Sequence, residues 1–142
     1  DTLLVAKRSE QLESDKAIIG FHVSRPHCFA ENPVLMLPSE PGDFYEGDKV
    51  RGQMTIDKEK PKDLLLRNDY VFFKEGEAIN WFKLVKFPSF AEAKTVRVKF
   101  KSQTPLSKII FDTTGIERAR YQAEQICQSG QPFRQVKKGD KI

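Results

Sequence analysis

Two cysteines and two histidines are the residues of this chain whose types could carry nucleophilic or metal chemistry. His27 directly precedes Cys28 and His22 lies shortly before, so a nucleophile–base pair, or a zinc site completed by Cys127, has its residue types present. Their spacing matches no paired-ligand motif, and sequence adjacency alone does not give catalytic geometry. We therefore predict no metal and no cofactor. A small hydrolase-like enzyme with a His-containing site is one alternative function.

The even number of cysteines also permits one disulfide. Cys28 and Cys127 lie 99 positions apart, and a bridge closing a loop of that size stabilises a fold by roughly 4–5 kcal/mol in the chain-entropy model. Disulfides persist in oxidising compartments. The chain begins at Asp1 rather than Met, which fits a mature secreted form, a trimmed chain or the ordered part of a longer protein. We predict a Cys28–Cys127 disulfide in a periplasmic or secreted protein. Two free thiols in a cytoplasmic protein are the alternative.

A basic strand face is the best candidate for a binding surface. Lys and Arg number 24 against 20 Asp and Glu, a net charge of +4, and they are spread along the chain. Alternation along the predicted strands nevertheless puts several cations on one side, with Tyr70, Trp81 and Phe82 predicted beside them. Cations among stacking aromatics are typical of an OB-like nucleic-acid-binding module; a solvated sheet face over an aromatic core is the alternative. The predicted basic face comprises Lys49, Arg51, Lys83, Arg97, Lys99 and Lys101.

The elements that must position these residues are mostly strands. A period-two hydrophobic pattern predicts strands at Ala17–Ser24, Lys49–Asp57, Lys94–Lys101 and Ser107–Phe111. Val34–Leu37 lies between prolines and is predicted to be an edge strand. Asn68-Asp69 is predicted to be a tight turn, and Glu75–Glu77 a second turn that leads into a strand over Ile79–Phe87.

One amphipathic helix is predicted at Thr114–Ser129. Thr114 as N-cap and Glu117 three residues later fit a capping box, and Gly130 followed by Pro132 ends the helix. Helical spacing predicts that the inward positions are Ile116, Ala119, Ala123 and Ile126, with Cys127 in the last turn.

These elements predict a mainly β (α+β) fold, an antiparallel β-sandwich or small barrel with one C-terminal amphipathic helix. Residues 1–16 are predicted to be a loosely ordered N-terminal segment, with loose helix as one form. Residues 17–130 are predicted to form a single β-rich domain, and residues 131–142 a basic tail. No apolar run approaches the ~20 residues of a membrane-spanning helix.

The order of elements resembles the invasion-associated locus B type of periplasmic bacterial protein. A first strand leads into a cysteine at Phe21–Cys28, an alternating strand ends at Ile56-Asp57, and a late strand precedes Gly-Ile-x-x-Ala-x-x-x-Ala-x-x-x-Cys from Gly115 to Cys127. The resemblance spans Ala17–Cys127 and carries no functional residue over. It implies an envelope or secreted protein without enzymatic machinery.

The favoured function is thus a non-enzymatic, exported bacterial interaction or binding protein, envelope- or virulence-associated. We expect its partner to be another protein or an envelope component, with nucleic acid as the alternative partner.

Overall fold

The computed structural model describes residues 2–8, 17–30, 32–100 and 108–130. Within these residues eight antiparallel strands form one sheet, in the order β1-β2-β3-β6-β5-β4-β7-β8, and one helix follows. The strands are β1 Thr2–Arg8, β2 Ile18–Ser24, β3 Val34–Ser39, β4 Lys49–Ile56, β5 Lys62–Lys74, β6 Glu77–Lys86, β7 Thr95–Phe100 and β8 Lys108–Asp112, and the helix is α1 Ile116–Gln128.

The sheet curls into a half-barrel around one hydrophobic core. The predicted mainly β fold with one C-terminal helix is therefore confirmed, in its barrel-like form. Its inner face is mainly apolar from β2 to β8, with the polar residues Ser39, Asn68 and Asn80 also buried, while α1 packs against the β1–β2 side. The largest fully buried side chains include Ile19, Leu35, Met54, Leu66, Phe82, Leu84, Ile109 and Phe111. The opposite side of the sheet, which we call the outer face, is not covered by α1.

Strict alternation fixes which residues point to each face. On β4, Val50, Met54 and Ile56 are buried while Lys49 and Arg51 are exposed, as the sequence predicts. Gly52 also lies on the inner side, where a Cβ would meet the Lys99 carbonyl oxygen at 2.5 Å. Only glycine therefore lets β4 and β7 approach this closely without a shift.

Two predictions about the first strands are wrong. Thr2–Arg8 forms β1, which pairs with β2 along its whole length, where the sequence predicted a loosely ordered segment. Pairing with β1 satisfies the backbone groups that an edge strand would otherwise leave open. Val34–Ser39 lies inside the sheet between β2 and β6 rather than at its edge. Because β2 pairs only with Val34–Met36, Pro38 has a single neighbouring strand and its missing N–H is tolerated.

Asn68-Asp69 is an irregularity inside β5 and not the predicted turn. The register shifts between Asn68 and Tyr70, which marks a bulge. Asn68 is completely buried, and its amide nitrogen donates to the Tyr45 carbonyl at 3.1 Å and to Asn80 Oδ1 at 3.3 Å. These tertiary bonds override the local turn preference. The second predicted turn is confirmed: Glu75 and Gly76 both have positive φ and link β5 to β6 as a two-residue hairpin turn.

The helix begins later than predicted, and the residues that face the core differ from those predicted. Its N-cap is Gly115 and no side chain caps it, so the predicted capping box at Thr114 is wrong. The carboxylate of Glu117 pairs with Arg120 instead. Ile126 is 37% exposed, whereas Glu124 is buried, so the inward face is turned toward Glu124 and Cys127. The predicted end is confirmed, because Gly130 has positive φ and donates its N–H to the Cys127 carbonyl.

Candidate functional site

A disulfide between Cys28 and Cys127 fastens the end of α1 to the turn after β2. Cys28 lies at positive φ and donates its N–H to the Ser24 carbonyl at 2.8 Å. Arg25 Nε donates to the Cys127 carbonyl at 3.3 Å, so the same turn also holds the last turn of the helix through a hydrogen bond. The predicted disulfide is confirmed. Neither cysteine has a free thiol to act as a nucleophile or a zinc ligand.

A partly buried ion network completes this attachment. The Arg120 guanidinium contacts Glu117 one turn before it and, at 2.9 Å, the Glu124 carboxylate one turn after it. The hydrogen bonding that Arg120 donates to the Glu117 carboxylate is the main cause that raises the pKa of Arg120 above its ordinary value. Glu124 also accepts the backbone N–H of Ala30 at 3.1 Å. A single carboxylate thus joins α1 to the loop that carries Cys28.

Removing this carboxylate is expected to loosen the helix. Glu124→Ala leaves the Ala30 N–H without its acceptor inside the fold, and we expect the free energy of unfolding to fall by about 1–3 kcal/mol. Glu124→Gln keeps an acceptor oxygen for the Ala30 N–H, so its free energy of unfolding should fall by less. Urea unfolding of the oxidised protein measures both, and equal losses for the two variants would contradict the role assigned to the Ala30 hydrogen bond.

The outer face carries a row of three cations across neighbouring strands. Lys49 on β4 lies opposite Arg67 on β5, which in turn lies opposite Lys83 on β6. Arg67 Nε contacts the Asp69 carboxylate at 2.5 Å, and this hydrogen bond is the main cause that raises the pKa of Arg67. Among the described residues no carboxylate forms a salt bridge with Lys49 or Lys83. Lys49, Arg67 and Lys83 are called the basic row below.

Three other predicted basic residues, Arg51, Arg97 and Lys99, lie on the same face at different places. Arg51 lies two residues after Lys49 on β4 and therefore on the same face. It is opposite Leu65 on β5, which is in turn opposite Lys86 on β6. Arg97 and Lys99 lie on β7, opposite Thr55 and Gln53, and so are displaced from the basic row. Lys101 lies outside the described residues. The five predicted cations that the structure describes therefore lie on one side of the sheet but are spread over four strands' width, and their role as a binding face stays a prediction. Arg67 was missed because a turn was predicted directly after it.

An aromatic patch adjoins the basic row. Tyr70 lies opposite Trp81, which lies opposite Met36, and in the next row Phe72 lies opposite Ile79. Tyr70 is 54% exposed, and the other four are half-buried on the outer face. Phe82, predicted beside the cations, is completely buried in the core because it follows Trp81 by one residue. The aromatic patch is defined as Met36, Tyr70, Phe72, Ile79 and Trp81.

The two histidines do not form a site together. His22 lies on the outer face of β2, with its ring centroid 4.4 Å from that of Trp81. His27 is exposed in the turn that follows β2. Within the described ranges no three His, Cys, Asp or Glu side chains are grouped to hold a metal ion.

A cavity of about 370 Å³ lies beside the start of α1. Phe21, Phe87 and Phe90 form its apolar side, and Glu117 and Arg120 form its charged side. The Arg120 guanidinium lies 5.7 Å from the Phe21 ring centroid and pairs with both nearby carboxylates. Its charge is already neutralised, so this cavity offers an ionic ligand less than the basic row does.

Comparison of the chain with protein families, curated proteins and solved structures finds no match. In the part of the chain that the structure describes, no helix has the length and apolar character needed to cross a membrane.

Proposed function

We propose that this chain is a non-enzymatic, exported bacterial binding protein that uses the outer face of its sheet to contact its partner. The observation that carries the proposal is the aromatic patch beside the basic row. Exposed apolar patches rimmed by polar groups are typical of interaction sites. Trp, Tyr, Met and Arg are also the residue types enriched at protein interfaces.

The disulfide supports export. A bond of this kind persists outside the reducing cytoplasm, and it joins two segments that are distant in the sequence. With both sulfurs bonded to each other and the histidines apart, the described residues offer no nucleophile–base pair of cysteine and histidine. Binding therefore fits the described residues better than the enzyme alternative. At this level the proposal is limited to a binding role for the outer face.

The proposal that the protein is exported is tested by trapping free thiols in intact source cells. Free thiols are alkylated before lysis, the cells are fractionated, and the protein is analysed by mass spectrometry without reduction. We expect the protein in the periplasm or medium with no alkyl label, and two labels after reduction as the control. Recovery from the cytoplasm with both cysteines alkylated would overturn the proposal of export.

A further inference from the structure

We propose that the ligand of the outer face is a single-stranded nucleic acid. This proposal rests on the binding role proposed above for that face. The observation behind this is that two aromatic residues on opposite strands, Tyr70 and Trp81, lie directly beside the basic row. Proteins that bind single strands combine cations that follow the phosphate backbone with aromatic rings on which bases stack.

The charges favour an anionic partner. Like charges placed directly opposite each other on a sheet destabilise it, and the basic row places three in succession. Neighbouring strands lie about 4.8 Å apart, so the row extends over roughly 10 Å of the sheet. Within the basic row only Arg67 has a carboxylate partner among the described residues, namely Asp69. A chain of phosphates laid along the row would neutralise Lys49 and Lys83. A second copy of the same face would add to the repulsion.

The rings favour a partner with flat faces. Tyr70 is largely exposed, and Trp81 lies opposite it on the outer face, within ring contact of His22. A single strand can splay its bases away from its phosphates, so one ligand can use both features at once. An acidic polysaccharide or an acidic protein surface would also satisfy the cations, but a single strand carries one aromatic base for every phosphate and so brings rings and charges together.

The inference is tested by fluorescence anisotropy with a short labelled oligothymidylate at two salt concentrations. The oxidised wild-type protein should bind, and its affinity should fall as salt rises. Lys49→Gln/Lys83→Gln should reduce the salt slope by about 1.4 and the affinity at physiological salt by roughly tenfold. Tyr70→Ala should weaken binding by roughly 5- to 150-fold, the range for loss of one stacked base.

A matched variant controls for net charge. Lys58 and Lys60 are exposed in the turn at the opposite end of β4 from Lys49, so Lys58→Gln/Lys60→Gln removes the same charge away from the patch. It should bind like the wild-type protein, and urea unfolding of every variant checks that each is folded.

Each outcome decides the matter. Absence of binding, or equal weakening by both lysine pairs, overturns the inference. If a uronate-rich polysaccharide binds with the predicted variant pattern while the oligonucleotide does not, the ligand class is wrong but the binding role of the outer face stands. Neither result bears on the thiol-trapping test of export, so the failures are distinguishable.

Discussion

Replacing both cysteines by alanine should lower the free energy of unfolding by about 4–5 kcal/mol, the largest stability loss expected for this chain. The bridge spans 99 positions, so its removal restores a large conformational entropy to the unfolded chain. Whole domains are commonly stable by only about 5–15 kcal/mol. Cys28→Ala/Cys127→Ala should therefore be marginally folded, with α1 and the turn after β2 loosened first. Urea unfolding monitored by circular dichroism measures the loss.

The reduced wild-type protein is the internal control for that variant. It keeps every side-chain atom of the core, so reduction should reproduce most of the loss, and a reductant should leave the double variant unchanged. A difference below about 1 kcal/mol between oxidised and reduced protein would show that α1 is held by its packing and by Glu124 rather than by the bridge.

Phe82→Ala should lower the free energy of unfolding by about 3–5 kcal/mol, because it empties a completely buried site in the core. Phe73, near the turn of the same hairpin, is 70% exposed, and Phe73→Ala should change stability by less than about 0.5 kcal/mol. Thermal or urea unfolding of the oxidised variants gives the comparison.

This pair of variants also tests the orientation of β6. A slip of one residue in strand register would exchange the two faces, bringing Trp81 into the core and Phe82 onto the outer face. A mild loss in Phe82→Ala would therefore contradict the placement of the aromatic patch as well as the core. The binding proposal depends on this placement.

Period-two patterns predicted β4 and β7 well because each strand has one buried and one solvated face, so their side chains record the orientation directly. The bridge of Cys28 and Cys127 could be predicted because only one intramolecular pairing exists. Other features that depend on long-range contacts could not be predicted. Asn68 resembles a turn residue until Tyr45 and Asn80 supply its hydrogen bonds, and β1 is ordered by its pairing with β2.

The candidate site was predictable only in part for the same reason. Alternation identified Lys49 and Lys83 as surface cations, but their alignment with Arg67 depends on the order β6-β5-β4, which no local pattern encodes. The helix shows a related effect. Its apolar spacing predicted Ile126 as an inward residue, whereas Ile126 is 37% exposed and Glu124, which pairs with Arg120, is buried.

Trp81 is the one tryptophan in the sequence, so the intrinsic fluorescence of this protein reports on the outer face. Titration of the oxidised protein with unlabelled oligothymidylate should quench Trp81 emission saturably, with the same midpoint as the anisotropy change. Lys49→Gln/Lys83→Gln should move that midpoint to roughly tenfold higher ligand concentration. Saturable anisotropy with unchanged Trp81 emission would place the ligand elsewhere on the molecule and contradict the assignment of the outer face as the binding surface.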